Sequence, residues 1–354
     1  MSHYLPYKDS PSIINCYSDD TGQADLTANY DLGKYGIGVK EIKGEVDKLK
    51  DEQPKIYEEI IAHSATDLIN KKIEALPCLC EPILPERGVV TLAGGSDTGK
   101  SIMLRQLSID IVTDQPSFLN FKLKSKYKRV IYVSTEDDEL AISFLLNKVN
   151  KGLRLPGDAY RGLTFIFDTD RLIERLESQL RQNKVDLIVI DAFTDLYGKS
   201  INESNQVRTF LNKYSQLAQR YKCLIIFLHH TGKRTEELVP SKNNLLGSQG
   251  FEAKMRTVIE LRLDSIDAKK RHLCIVKGNY LPREYKTESF VLSLDDNLIF
   301  SMTDERRPFE ELKASDKSEL KEKIRGLHDE GKTQKEISAT TGISQPTISR
   351  YLNE

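Results

Sequence analysis

The pattern of apolar and polar positions changes character three times along the chain. Residues 1–36 show no sustained period. Apolar side chains then fall at Val39, Ile42, Val46 and Leu49, the spacing of one helix face, and Pro54 ends that run. Ile56, Ile60 and Ile61 predict a second helix, so residues 1–75 are expected to form a partly helical extension or an arm used in assembly. From residue 76 to 302, short β-branched runs alternate with longer amphipathic stretches. Val89–Ala93, Val130–Val133, Leu187–Ile190 and Leu224–Leu228 are nearly continuous in hydrophobicity, which implies burial on both faces and hence parallel strands covered by helices. The runs Val258–Leu261, Leu273–Val276 and Phe290–Leu294 lie closer together with turn residues between them. They predict hairpin strands that extend the sheet. The fold class expected is α/β.

The last two segments are polar or weakly amphipathic. Residues 303–316 carry Pro308 and mostly charged side chains, as a linker would. Residues 317–354 predict a small all-α domain. Leu320, Ile324 and Leu327 mark one helix, and Thr333-Gln-Lys-Glu336 is a capping box that opens a second. Gly342-Ile343 makes a turn, and Ser344 caps a third helix bearing Ile348 and Leu352. With small Ser338 before the turn, this spacing fits a helix-turn-helix.

Chemistry concentrates at the ends of the apolar runs. Gly94-Gly95-Ser96-Asp97-Thr98-Gly99-Lys100-Ser101 fits G-x-x-x-x-G-K-[ST] and sits between a predicted strand and a helix that begins near Ile102. Glycines let successive backbone N–H groups converge on phosphate oxygens, and the helix N-terminus adds partial positive charge. Residues 94–102 are the expected nucleotide-binding segment for ATP. Lys100 would reach the β- and γ-phosphates and the Ser101 hydroxyl would ligate Mg²⁺. Asp191, at the carboxyl end of Leu187–Ile190, is the expected second magnesium ligand. Ala192 follows it where many NTPases carry a second acid. Glu136, in Ser134-Thr135-Glu136-Asp137-Asp138-Glu139, is the candidate to orient and deprotonate the attacking water, if its strand neighbours the phosphate-loop strand. The same acids could serve as a helix cap, with Thr135 or Asp137 capping. His230, the stronger candidate of the pair His229-His230, would hydrogen-bond the γ-phosphate from the end of a third strand.

Composition narrows the partners. Lys plus Arg number 52 against 53 Asp plus Glu, so the net charge is −1. Coating DNA by bulk charge is excluded, and nucleic-acid contact must come from local patches. No apolar run is long enough to span a membrane. Five scattered cysteines read as reduced thiols in the cytoplasm. Cys78-Leu-Cys80 lacks a second ligand pair and reads as two half-buried small residues rather than a zinc site.

Taken together and in order, these strings resemble the RecA-like hexameric replicative helicases of the RepA type, within the wider AAA-type P-loop ATPases. The resemblance runs from Pro77 to Met302. It rests on the phosphate loop, Tyr132-Val-Ser-Thr-Glu-Asp-Asp138, Ile188-Val-Ile-Asp191, Leu228-His-His-Thr-Gly-Lys233, Gly247-Ser248 and Val276-Lys-Gly-Asn-Tyr280. It implies a RecA-like core with a mainly parallel sheet, a homo-hexamer, and catalytic roles for Lys100, Glu136, Asp191 and His230. Arg256 would be an arginine finger acting in trans, and Lys277 a second trans cation. Gln249 stands where the family has serine, and residues 1–75 and the tail have no counterpart in the compact plasmid helicases. Lys233-Arg234 and Ser241–Asn244 would be loops lining a channel for single-stranded DNA.

The tail resembles the trihelical domains of resolvases and small regulators, in which Gln345, Thr347, Ser349 and Arg350 would face the major groove of duplex DNA. From Arg306 onward ten Lys/Arg meet nine Asp/Glu, so a lone tail should bind DNA weakly. The expected function is an ATP-hydrolysing DNA motor in replication or mobilisation of a genetic element. The alternative is an ATP-dependent DNA-binding regulator that does not unwind.

Overall fold

The computed structural model describes residues 62–353 apart from 234, 248, 314, 315 and 342. The helices expected from Val39 and from Ile56, and Cys16, lie outside these residues. The chain divides into two units, Met1–Ile73 and Glu74–Glu354. In the first, the described residues include the short helix Ala65–Asn70, opened by a capping box between Ser64 and Asp67.

The centre of the second unit is a nine-stranded sheet. The strands are β1 (Gly88–Gly94), β2 (Val130–Ser134), β3 (Leu163–Ile166), β4 (Leu187–Asp191), β5 (Leu224–His230), β6 (Thr257–Leu263), β7 (Lys270–Gly278), β8 (Glu288–Leu294) and β9 (Phe300–Pro308). Their order is β9-β8-β7-β6-β1-β5-β4-β2-β3. The six strands from β6 to β3 are mutually parallel, and β7, β8 and β9 continue antiparallel. This mostly parallel α/β sheet fits a RecA-like P-loop core.

The apolar runs form buried strands because alternate residues feed two different cores. Leu187, Val189, Leu224 and Ile226 pack on one face with Leu104, Leu107 and Ile111 of helix α1 (Lys100–Val112). Ile188, Ile190, Ile225 and Phe227 pack on the other with Leu176 of α3 (Leu172–Gln182) and Leu211 and Tyr214 of α4 (Ser204–Tyr221). Helix α2 (Glu139–Leu153) follows β2.

Three expectations change. β2 is not a neighbour of β1, because β4 and β5 lie between them. A short strand, β3, was not expected at all; Leu163-Thr-Phe-Ile166 is brief and only half-buried because it closes one edge of the sheet. Residues 303–308, expected as linker, are most of β9. An edge strand needs only one paired side, so it carries polar residues and ends at Pro308 without loss. Its Arg306 lies 3.8 Å over the Phe290 ring.

Helices α6 (Asp316–Asp329), α7 (Gln334–Thr341) and α8 (Gln345–Asn353) follow α5 (Gln249–Lys254) and the last strands. They share a small core of Ile324, Ile337, Ile343, Ile348 and Tyr351, joined by Ile266 from the β6–β7 turn. Thr333 N–H donates to Glu336 at 2.9 Å and Thr333 Oγ1 accepts from Glu336 N–H at 3.4 Å, the reciprocal bonds expected there. Among the described residues no helix is long and apolar enough to cross a membrane.

Phe227 is fully buried against the rings of Phe193, Tyr214 and Phe251. Phe227→Ala is expected to cost about 3–5 kcal/mol of unfolding free energy in urea titrations, while Phe227→Leu costs clearly less.

Candidate functional site: a phosphate cradle at the carboxyl edge of the sheet

Parallel strands deliver their carboxyl ends to one edge, and helices start there. Gly94 ends β1, and the loop through Gly99 turns the chain into α1. Register sets the neighbours: Gly94 pairs with His230 of β5 and with Leu261 of β6. A Cβ on Gly94 would sit 2.3 Å from the Leu261 carbonyl oxygen, so only glycine admits the close strand contact there. Gly99 is left-handed at φ +92° and faces Phe300, which a side chain would strike at 2.9 Å. Thr98 Oγ1 donates to the Gly95 carbonyl at 3.0 Å and holds the loop curled.

Lys100, buried at the first turn of α1, folds its ammonium back onto the Gly95 carbonyl at 2.6 Å. Burial lowers its pKa, and the charges of Asp191, Glu136 and Asp97 oppose that shift. Ser101 and Ile102 follow on the helix, both half-buried. Ser96 and Asp97 stay exposed at the lip of the loop.

Asp191 ends β4 with its carboxylate buried. Tyr132, fully buried on β2, donates to Asp191 Oδ2 at 2.6 Å, and the nearby Ser101 hydroxyl also favours the charged carboxylate. The other oxygen, Oδ1, is buried without a partner. Desolvation raises the Asp191 pKa against the pull of those two hydroxyls. An orphaned carboxylate oxygen beside a serine hydroxyl is an all-oxygen donor set suited to Mg²⁺. Asp191 and Ser101 would hold the ion. When bound, it would offset negative charge on phosphate oxygens.

Glu136 lies two residues past β2. It reaches the cluster although its strand does not touch β1, because the β2–α2 loop leans over β4. Thr135 N–H donates to the Asp191 carbonyl at 2.7 Å, and Thr135 Oγ1 donates to Asp195 at 2.7 Å. Glu136 Oε1 stands 3.9 Å from His230 Nε2. Its pKa is raised by partial burial first, then by Asp191 and Asp195. His230 is half-buried, and its pKa is lowered by burial and by Lys100, so the neutral ring is favoured. The acidic string is divided among tasks. Asp137 pairs with buried Arg105 of α1 at 3.2 Å, and Asp138 caps α2 by accepting from Ala141 N–H at 2.8 Å. The cap is therefore Asp138, not Thr135 or Asp137, and Glu136 is left for the site.

Lys100, Ser101, Glu136, Asp191 and His230 thus converge on the phosphate loop. Arg256 and Lys277 do not. Arg256 N–H donates to the Val89 carbonyl at 2.9 Å and its side chain lies against Gly88. That is the amino end of β1, roughly 20 Å from Gly94 along a strand of this length. Lys277 pairs in register with Val258, which is level with Thr91 in the middle of β1, and its ammonium is bonded to Glu252 at 2.9 Å. Gln249 is exposed at the start of α5, and Ser248 lies outside the described residues.

His229 is a core residue. It is buried against Phe193 and Phe251, and its Nε2 lies 2.8 Å from the Leu246 carbonyl. Burial pushes its pKa down to about 4. With Leu246 N–H donating to the His230 carbonyl at 2.9 Å, it zips the base of the 231–246 loop. Asn244, expected in a channel loop, is buried and donates to Glu260 at 3.2 Å. Lys242 pairs with Glu252 at 3.2 Å. Lys233 alone of those described cations stays exposed and unpaired in that loop.

On the tail, Gln345 and Arg350 are exposed and Ser349 is half-buried. Thr347 is buried, with its hydroxyl 2.9 Å from Ser344 Oγ, so it does not face outward as expected. Its four-residue spacing from core residue Tyr351 places it on that face of the helix. Sequence reading missed Tyr132, a lone phenol in an apolar strand, and Arg105, one of several polar residues in an amphipathic helix.

Tyr132→Phe is expected to leave nucleotide affinity in EDTA unchanged and to raise the magnesium needed for half its effect on binding by roughly tenfold. Titration of a fluorescent ADP with MgCl2 measures this.

The AAA domain family matches residues 57–236, just over half of the chain. No curated protein matches it. The matched stretch contains the phosphate loop, Glu136, Asp191 and His230, and strands β6–β9 and the tail lie beyond it. Match and geometry meet on the same strand ends, and the chain belongs to the AAA domain family, as a P-loop ATPase of the AAA/RecA-like kind.

Proposed function

We propose that the protein is an ATP-hydrolysing motor of the RepA type that assembles as a ring, most simply a homo-hexamer, and acts on DNA. Lys100 and the loop amides bind the phosphates. Glu136, ionised and near His230, orients the attacking water and takes its proton, and His230 donates to the γ-phosphate from Nε2 or Nδ1 according to its tautomer. Arg256 and Lys277 act on the nucleotide of the next subunit.

The observation that carries this reading is the separation just described. Of the two remaining cations of the motif set, Arg256 sits at the amino end of the sheet, opposite the cradle, and Lys277 is held to Glu252, level with the middle of β1. They cannot serve their own nucleotide, whereas subunits stacked head to tail would bring the amino end of one against the cradle of the next. Arg256 is half-buried and has no ion pair among the described residues. Gln345, Ser349 and Arg350 on α8 supply the duplex-reading side chains, and linked binding by several subunits offsets a near-neutral tail.

A second reading, a nucleotide-governed DNA-binding regulator, draws on one observation: α8 rests on the turn next to the phosphate loop, through Tyr351 Oη donating to the Ser265 carbonyl at 3.1 Å. ATP hydrolysis measured with and without single-stranded DNA, while following mass in solution, separates the two. The motor is stimulated and active only when assembled; the regulator is slow and unstimulated. A monomer that hydrolyses at the full assembled rate sinks the trans arrangement.

Lys100→Ala is expected to lose nucleotide-dependent function. Arg256→Ala should lower turnover by about a thousandfold or more with ATP binding largely intact, measured by single-turnover hydrolysis beside equilibrium binding. The raised Glu136 pKa means its basic form is lost, as pH falls, earlier than for an ordinary glutamate. Removing the Asp195 charge relieves part of that shift. The acid limb of the kcat profile should therefore move to lower pH in Asp195→Asn.

A further inference from the structure

The β6–β7 turn, residues 264–269, stands at the nucleotide edge of the sheet because β6 runs parallel to β1 and Leu261 is level with Gly94. Asp264 closes the turn. Its Oδ1 accepts from the N–H groups of Ile266 and Asp267, both at 2.7 Å, and its Oδ2 lies 2.8 Å from His272 Nε2. Those bonds hold its carboxyl down at about 2.

Arg271, the second residue of β7, is 7% exposed yet makes no salt bridge among the described residues. Its guanidinium is satisfied by carbonyl oxygens. Nη1 donates to Ala268 at 2.6 Å and Lys270 at 2.8 Å, within or beside the turn, and Nε donates to the Thr98 carbonyl at 3.0 Å. Thr98 is the peptide that precedes Gly99 and Lys100. One rigid planar fork therefore clamps the phosphate loop to the turn. The turn's other side carries α8. Tyr351 Oη donates to Ser265, Arg350 Nη2 donates to the Ile266 carbonyl at 3.2 Å, and Ile266 packs into the tail core.

We propose that Arg271 is a positioning residue for the phosphate loop, and that by holding loop and turn as one piece it couples nucleotide occupancy to the docking of α8. A nucleotide that draws the loop amides onto its phosphates shifts the Thr98 peptide. The guanidinium passes that shift to Ala268, and thence to the carbonyls that α8 grips. The coupling is reciprocal: whatever lifts α8 from the turn changes nucleotide affinity by the same factor. The proposal rests on nucleotide binding at the loop but not on any motor or DNA role.

The test uses the full chain, a fluorescent ADP and hydrogen exchange of residues 345–353. In the parent, ADP should change exchange in α8. Arg271→Gln should weaken ADP affinity by about tenfold, raise KM for ATP more than it lowers kcat, and abolish the effect of ADP on α8. Arg271→Lys, which keeps the charge and a donor but loses the fork, should recover part of the affinity. Tyr351→Phe leaves Arg271 in place; it should speed α8 exchange and shrink its response to ADP. The proposal falls if α8 exchange in the parent ignores ADP, or if Arg271→Gln binds ADP within about twofold of the parent. A parent that binds no ADP would overturn the nucleotide reading as well, so the two failures are distinguishable.

Discussion

The molecule depends on keeping two opposite charges buried at one strand edge without letting them cancel. Lys100 and Asp191 are both nearly excluded from solvent, and each is pushed by desolvation toward its neutral form. Neither is given a full partner by the protein. The ammonium leans on a backbone carbonyl, and one carboxylate oxygen faces nothing. Charges held this way are costly unless something completes them. An anionic phosphate beside Lys100 and a divalent cation beside Asp191 would do so together, and the site is shaped for the pair rather than for either alone.

The sheet exists to maintain that poise. Six parallel strands bring their carboxyl ends to one edge, and two apolar cores fix their relative heights through alternating side chains. The register of Gly94 with His230, and of Ser134 with Asp191, follows from hydrophobic alternation along runs that hold no catalytic residue. Buried polar side chains then tune the edge. Tyr132 occupies one oxygen of Asp191, and Arg105 takes Asp137 out of competition, so that Glu136 is the member of its acidic string turned toward His230.

The part of the sheet beyond β1 has a different role. Strands β6 to β9 lie beyond the AAA domain match, yet β6 packs against Gly94 and β7 supplies Arg271 to the loop. The β6–β7 hairpin thus touches the phosphate loop from behind. It also carries the buried pair of Glu260 and Arg262, 2.7 Å apart, which holds the 231–246 loop through Ser241, Asn244 and the carbonyls of Thr235 and Leu238. A single hairpin therefore contacts the phosphate loop, the loop after His230 and the tail.

Much of this was legible in the chain. The phosphate loop, Asp191 and His230 are local signals, a fixed spacing or a polar residue ending an apolar run, and such signals need no knowledge of distant partners. The capping box at Thr333 is of the same kind. Strand order is not local: that β4 and β5 separate β2 from β1 depends on which apolar faces pair, and β-branched runs of similar composition do not specify their neighbours. The edge strand β9 hid as a linker because an edge tolerates polar residues and proline. Thr347 faced outward by the resemblance to trihelical DNA-binding domains, whereas the packing around Tyr351 turns it inward. Sequence alone determined that a triphosphate cradle ends one buried strand and an acid ends another, because these follow from spacing and hydrophobicity. Tertiary structure alone decided which oxygen of Asp191 is left open, that Arg256 stands at the opposite end from the cradle, and that Arg271 reaches Thr98. Those are distances between residues far apart in the chain, and only the packed core sets them.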